Sequence, residues 1–189
     1  GSSTLTLGTT DPANTTVAIQ GTFLNSAGTF DANGVDLDVA LDWNNYDKDQ
    51  FIPGESTVTL DGVDQAIYGE TLFYNFTKDQ TGGAGEATLT FEASQKQRVQ
   101  KTLTLKGVAN AAGQYLNIRS SSPGTAAGLL LLDGGAQAIR YVDVRDNDAL
   151  TADPGEDVIT LIGRDSPDHT AGFNNTNWLF NTNITVTWE

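Results

Sequence analysis

The 189-residue chain contains no cysteine and no methionine. Without a thiol it can build no disulfide framework, no thiolate zinc site and no cysteine nucleophile. Histidine occurs once, as His169. A Ser-His-Asp triad would have to use it, yet Asp168-His169-Thr170 lies in a Gly/Asn-rich stretch without a nucleophile elbow, and it reads as a solvated loop residue. Basic residues are also scarce, 10 Lys and Arg against 24 Asp and Glu, for a formal charge of −14. That field repels nucleic acid and anionic membranes, and no basic stripe with interleaved aromatics offsets it. It suits divalent cations, cationic surfaces, neutral sugars and proteins, and it also keeps an extended β surface soluble. No signal peptide and no membrane span is visible, and direct membrane insertion is not expected.

Hydrophobic residues make up 38% of the chain, while Gly, Thr, Asn and Asp are abundant. Thr favours strands, and Gly, Asn and Asp tolerate turn geometry. No convincing helical periodicity appears, so the expectation is an all-β chain. Gly1-Ser2-Ser3 reads as a cloning scar, and residues 4–189 as a single domain.

A strand ending in Gly, a short strand and a longer alternating strand recur along the chain. The first copy runs through Thr57–Gly62, Gln65–Gly69 and Thr71–Asp79. The second runs through Ala87–Ala93, Gln97–Gln100 and Lys101–Gly107, and the third through Tyr115–Ser121, Gly128–Gly134 and Ala138–Asp146. Self-similarity at a few tens of residues is the mark of a β-solenoid. Taking Leu37, Leu72, Leu103 and Ile139 as equivalent gives spacings of 35, 31 and 36 residues. That period makes about four to five coils, with atypical terminal coils over 4–20 and 157–189. Insertions at 47–55, 81–86 and 149–157 are expected to project from corners. Residues 35–43 alternate with period two, placing Val35, Leu37, Val39, Leu41 and Trp43 inward and Asp36, Asp38 and Asp42 outward. A β-sandwich is the alternative, since it too has many short alternating strands. Leu129–Leu132, apolar on both faces, fits it less well.

The segment Phe51–Lys78, with Gln65-Ala-Ile-Tyr-Gly69 followed by Phe73-Tyr-Asn-Phe-Thr77, resembles a repeat of very large bacterial cell-surface, adhesin-like proteins. Phe76 stands where that pattern usually has Leu. Leu103–Gly107, Leu116–Gly124, Ile139–Asp146 and Asn174–Phe180 resemble the same family in the same order, so the likeness covers roughly residues 20–180. It implies a right-handed parallel β-helix of the filamentous-haemagglutinin or autotransporter-passenger type, in a secreted or cell-surface protein. The implied role is a non-catalytic structural or adhesive module, a stalk or spacer. Its partners would be neighbouring modules of the parent chain, and glycans or proteins of a host or neighbouring cell.

Three constellations carry chemistry. Asp143, Asp146, Asp148 and Asp153, followed by Glu156-Asp157, offer hard oxygen ligands at close spacing, the donor type a Ca2+ ion needs, though the Gly and terminal Glu of a helix–loop–helix calcium loop are missing. An acidic corner without metal is the simpler reading of the same residues, and Asn44–Asp49 is a weaker second candidate. Tyr46 and Trp178 could stack on sugars beside Asn and Asp, making a carbohydrate-binding or calcium-dependent adhesion module the alternative function. Thr57/Thr59, Thr88/Thr90 and Thr102/Thr104 form three rungs of a possible threonine ladder, which Asn117 and Arg119 interrupt in the third repeat. Catalysis finds little footing. The Gly-His-Gly signature of β-helix pectin hydrolases is absent, and a lyase built on Asp143, Asp146 and Arg145 or Arg140 has only proximity behind it.

Overall fold

The computed structural model describes residues 3–8, 16–167 and 174–181. His169 and the expected strand over 183–188 lie outside them. The described chain contains one short 3-10 turn, Lys48–Gln50, no α-helix, and otherwise strands and turns. Every pairing between named strands is parallel, which an antiparallel sandwich would not show.

Over its first three passes the chain visits three sheets in rotation. The first pass is β1 (Thr4–Thr6), β2 (Thr16–Ile19) and β3 (Phe23–Asn25). The second is β4 (Thr29–Asp31), β5 (Asp36–Val39) and β6 (Trp43–Asn45), and the third is β7 (Phe51–Ile52), β8 (Thr57–Leu60) and β9 (Gln65–Gly69). In the next two passes one long strand replaces the first two. These are β10 (Thr71–Asp79) with β11 (Ala87–Phe91), then β12 (Lys96–Lys106) with β13 (Leu116–Ser120). The chain then separates again into β14 (Ala127–Leu131), β15 (Ala136–Arg140) and β16 (Val142–Val144), followed by β17 (Asn147–Asp148), β18 (Leu161–Arg164) and β19 (Trp178–Asn181). The sheets run β1-β4-β7, β2-β5-β8-β10-β12-β15-β18-β19 and β3-β6-β9-β11-β13-β16, with β14 and β17 attached alongside β12.

The register corrects the expected repeat. Leu37 pairs with Val58, Val58 with Phe76, Phe76 with Leu103, and Leu103 with Gln137. Leu72 instead faces Arg98 and Ile139 faces Leu105. Strand returns come at 21 and 18 residues early and at 27 and 34 later, so four to five coils is too few for eight strands along the second sheet. The expectation counted apolar residues at similar spacing, whereas register is set by which side chains share a face. Lys96–Lys106, read as two strands, is continuous because β12 pairs β14 with its first half and β15 with its second. The opposite happens at 35–43. Val35, Leu37, Val39 and Trp43 are buried, but Leu41 is 53% exposed. The strand stops at Val39, and Leu41 donates its N–H to Gly21 O across a corner, so alternation does not carry through it. Threonine rungs are redistributed likewise. Thr59, Thr77 and Thr104 pair in the second sheet, while Thr88 and Thr90 belong to the third and face Asn117 and Arg119.

Inward residues make one continuous core. Near the N-terminal side it is aromatic, with Phe23 stacked on Trp43 at 3.9 Å and Phe51, Phe73 and Phe76 close by. The Trp43 indole N–H donates to Thr71 Oγ1 at 3.0 Å, which satisfies its polar atom. At the adjoining corner Asn25 donates to Asn45 Oδ1 at 2.9 Å, and Asn45 to Glu70 O at 2.8 Å. The next rung of that column is Gly69, with φ +74°. A Cβ there would lie 1.9 Å from Asn45 O, so the close approach requires glycine.

Candidate functional site

Two open clefts meet at Lys48 on the outer surface. One, of about 330 Å3, is lined by Tyr46, Lys48, Gly69, Glu70, Glu92 and Gln95. The other, of about 340 Å3, runs from Lys48 past Phe51 and Leu72 to Arg98, Asp153 and Glu156. Tyr46, nominated as a sugar-stacking residue, is 56% exposed at the first cleft. Asp153, nominated as a calcium ligand, lies at the far end of the second.

Arg98 organises this surface. It points outward from the first half of β12, is 7% exposed, and pairs across the ladder with Leu130. Its Nε donates to Glu156 Oε2 at 3.1 Å, its Nη2 donates to Asp153, and its Nη1 lies 3.5 Å from Glu70 Oε2. Lys96 reaches Asp153 at 3.0 Å, and Lys48 lies 3.7 Å from Glu70. Burial by itself lowers the Arg98 pKa, but Glu156, Asp153 and Glu70 outweigh it and hold the pKa above the ordinary guanidinium value. The bond from Lys96, with the nearby charge of Arg98, holds Asp153 below the usual carboxylate range.

The excursion over 149–157 therefore folds back on the sheet instead of standing clear. Asp133 N donates to Asp157 O at 2.9 Å and Ile159 N to Leu131 O at 3.0 Å, tying its base to β14. This explains the Leu129–Leu132 run. Leu129 and Leu131 join the core, while Leu130, fully buried outside that cluster, shares the outer face with Arg98.

The four nominated calcium ligands go to different partners. Asp143, in β16, accepts Arg119 Nη2 at 3.0 Å. Asp146, at φ +55°, accepts Gly124 N at 3.0 Å and Asn174 Nδ2 at 3.3 Å. Asp148 accepts the N–H groups of Leu150 at 2.8 Å and Thr151 at 3.2 Å. Asp153 pairs with Lys96 and Arg98, so a metal there would displace both. Among the described residues no three carboxylate or histidine groups converge as a metal would need. Trp178 differs from the sequence expectation: it is 6% exposed, in the core, with its indole N–H donating to Asn147 Oδ1 at 2.9 Å. Its ring packs beside Phe180 and presents no face to a sugar.

Sequence reasoning missed Glu70 and Arg98, and it read Glu156 and the Asn44–Asp49 stretch that holds Lys48 as candidate calcium segments rather than as ion-pair partners. A cation beside an apolar run had no visible partner until the excursion brought two carboxylates to it, a contact spanning 55 and 58 residues. Lys78 was missed too, although alternation places it inward with Phe76. It is fully buried, donates to Gly62 O and, at 2.5 Å, to Gln65 Oε1, and burial pushes its pKa down to about 8 against the pull of Asp61 and Asp64.

No family model, no curated protein and no solved structure matches the chain.

Proposed function

We propose that this chain is a right-handed parallel β-helix module of a large secreted or cell-surface bacterial protein, serving as a stalk or adhesive segment without catalysis. The observation that carries the reading is parallel pairing throughout the named strands, with successive passes stacked on shared sheets and one core running through them. Each pass offers its neighbours the same backbone hydrogen bonds and the same inward apolar face, so such a unit extends by repetition and suits neighbouring modules of its own parent chain. The repeat resemblance supports the cell-surface assignment. Solution scattering tests the shape: an elongated particle is expected, and a profile close to a sphere overturns the stalk.

A second reading, carbohydrate recognition, is favoured by the exposed Tyr46 ring beside Lys48, Glu70 and Gln95. An aromatic face next to hydrogen-bonding groups is suited to a sugar ring. A glycan array with Tyr46→Ala tests it: binding lost in the variant supports this cleft, and binding unchanged removes it. Calcium-dependent adhesion makes a separate prediction, a melting temperature that rises with calcium and falls with chelator. An unchanged melting curve rejects that dependence.

A further inference from the structure

A different face carries an unusual column of charge. In the second sheet Asp79 pairs with Lys106, Lys106 with Arg140, and Arg140 with Arg164, all pointing outward at one register position. Three of the chain's 10 basic residues thus stack on successive rungs of a protein whose net charge is −14. Rungs of a parallel sheet lie about 4.8 Å apart, where cations of one column repel. Asp79 reaches Lys106 at 2.8 Å and Asp165 reaches Arg140 at 2.6 Å. Arg164 is exposed and has no carboxylate partner among the described residues. Folding alone gives no reason for a third cation at this position.

The column borders an open groove of about 470 Å3 lined by Lys106, Gln137, Ala138, Arg140, Arg164 and Asp165. Its depth has a local cause. Strands β15 and β18 share only the Arg140–Arg164 backbone register, and Gln137 bridges the rest by donating to Thr160 O at 2.8 Å and accepting from Ile162 N at 2.7 Å. Ala138, exposed and two residues from Arg140 along β15, offers only a methyl beside the column.

We propose that this groove binds an acidic glycan, with successive uronate carboxylates meeting Arg140, Arg164 and Lys106. The inference rests on the adhesive reading of the module and adds a ligand class to it. Three features favour an extended polyuronate. Its carboxylates recur once per sugar residue, on the same scale as the rung spacing. Guanidinium groups take carboxylates in paired hydrogen bonds. The carboxylate also supplies the counter-charge that Arg164 lacks among the described residues. A nucleic acid chain fits less well, because the groove lining has no aromatic stacking face.

The test is titration calorimetry of the whole chain with an oligogalacturonate, a neutral oligoglucoside of equal length and a single-stranded oligonucleotide, all with chelator present. The oligogalacturonate is expected to bind and to weaken as salt rises. Arg164→Gln, which breaks no ion pair among the described residues, should weaken it about tenfold while leaving the melting curve unchanged. Asp165→Asn frees Arg140 and keeps a residue tolerant of the left-handed backbone (φ +49°), so it should tighten binding. Oligogalacturonate binding that is equal in the Arg164→Gln variant, or matched by the neutral sugar, overturns the proposal and leaves the adhesive reading standing. Absence of oligogalacturonate binding, or preference for the oligonucleotide, also overturns it. The module reading stands or falls on the scattering profile instead.

Discussion

The two halves of the molecule solve the same packing problem with different materials. Over residues 16–76 the strand returns are short, the core carries a stack of Phe23, Trp43, Phe51, Phe73 and Phe76 beside Leu37, Val39, Val58, Leu60 and Ile67, and a corner is closed by Asn25 and Asn45. From β12 onward the returns lengthen and the inward residues are mainly aliphatic: Leu103, Leu116, Ile118, Leu129, Leu131, Val142 and Val144. Charge divides in the same place. Residues 1–95 hold 14 acids and 2 cations, residues 96–189 hold 10 acids and 8 cations. The first half is held mainly by side-chain packing under a predominantly acidic surface. The second adds ion pairs that fasten loops onto the sheets, as Arg98 does with Asp153 and Glu156. A parallel ladder therefore tolerates unequal return lengths, provided each return restores the inward face.

The largest break should come where the halves join. Leu103 pairs with Phe76 on one side and Gln137 on the other and is fully buried. Leu103→Asp puts an unpaired carboxylate in the ladder, and a loss of more than about 4 kcal/mol is expected, with unfolding of the whole domain in one transition by circular dichroism. A variant that melts like the parent would refute the continuous core. Next, Trp43→Ala should cost about 3–5 kcal/mol in chemical denaturation, against about 1–3 kcal/mol for Val144→Ala, because the aromatic stack loses more contact and leaves Thr71 without its donor. Equal losses would erase the contrast between the halves.

Lys78 gives a pH test. Its folded pKa of about 8 lies below the ordinary lysine value of 10.5. Between those values the unfolded chain binds more protons, so stability should rise with pH across that window, and the cost of burying the charge is fully present below about pH 8. The melting temperature of the parent relative to Lys78→Met is expected to climb from pH 8 to 10; a flat difference would place the ammonium in water. The smallest effect belongs to the loop. Arg98→Gln should cost about 1–2 kcal/mol, seen chiefly as faster hydrogen exchange over 149–157 while β5 and β8 stay protected. Because the pKa of Asp153 is depressed, its ion pairs contribute above the usual aspartate value and are lost as pH falls through the lower folded one, so acid should loosen the same segment.

Much of this architecture was legible. Thr-rich alternation with Gly and Asp at corners marked β11 and β13, and Gln65–Gly69 and Thr71–Asp79 were recognisable as strands. The period was not. Leu37 and Leu103 do share a column, but the chemically similar Leu72 faces Arg98 and Ile139 faces Leu105, since one-dimensional spacing cannot fix which positions meet after a corner. Of the nominated site residues, Tyr46 is exposed at a cleft and Trp178 is core. An aromatic ring reads the same in both settings until its neighbours are known.

The sequence by itself determined an all-β chain, acidic, without thiol chemistry, built from short strands and tight corners. These follow from residue type and nearest-neighbour alternation, which need no partner strand. Only the tertiary structure decided the register, the burial of Lys78, the docking of the 149–157 excursion on Arg98 and the stacking of Lys106, Arg140 and Arg164. Each joins residues more than a dozen positions apart, and such contacts depend on where every intervening corner turns.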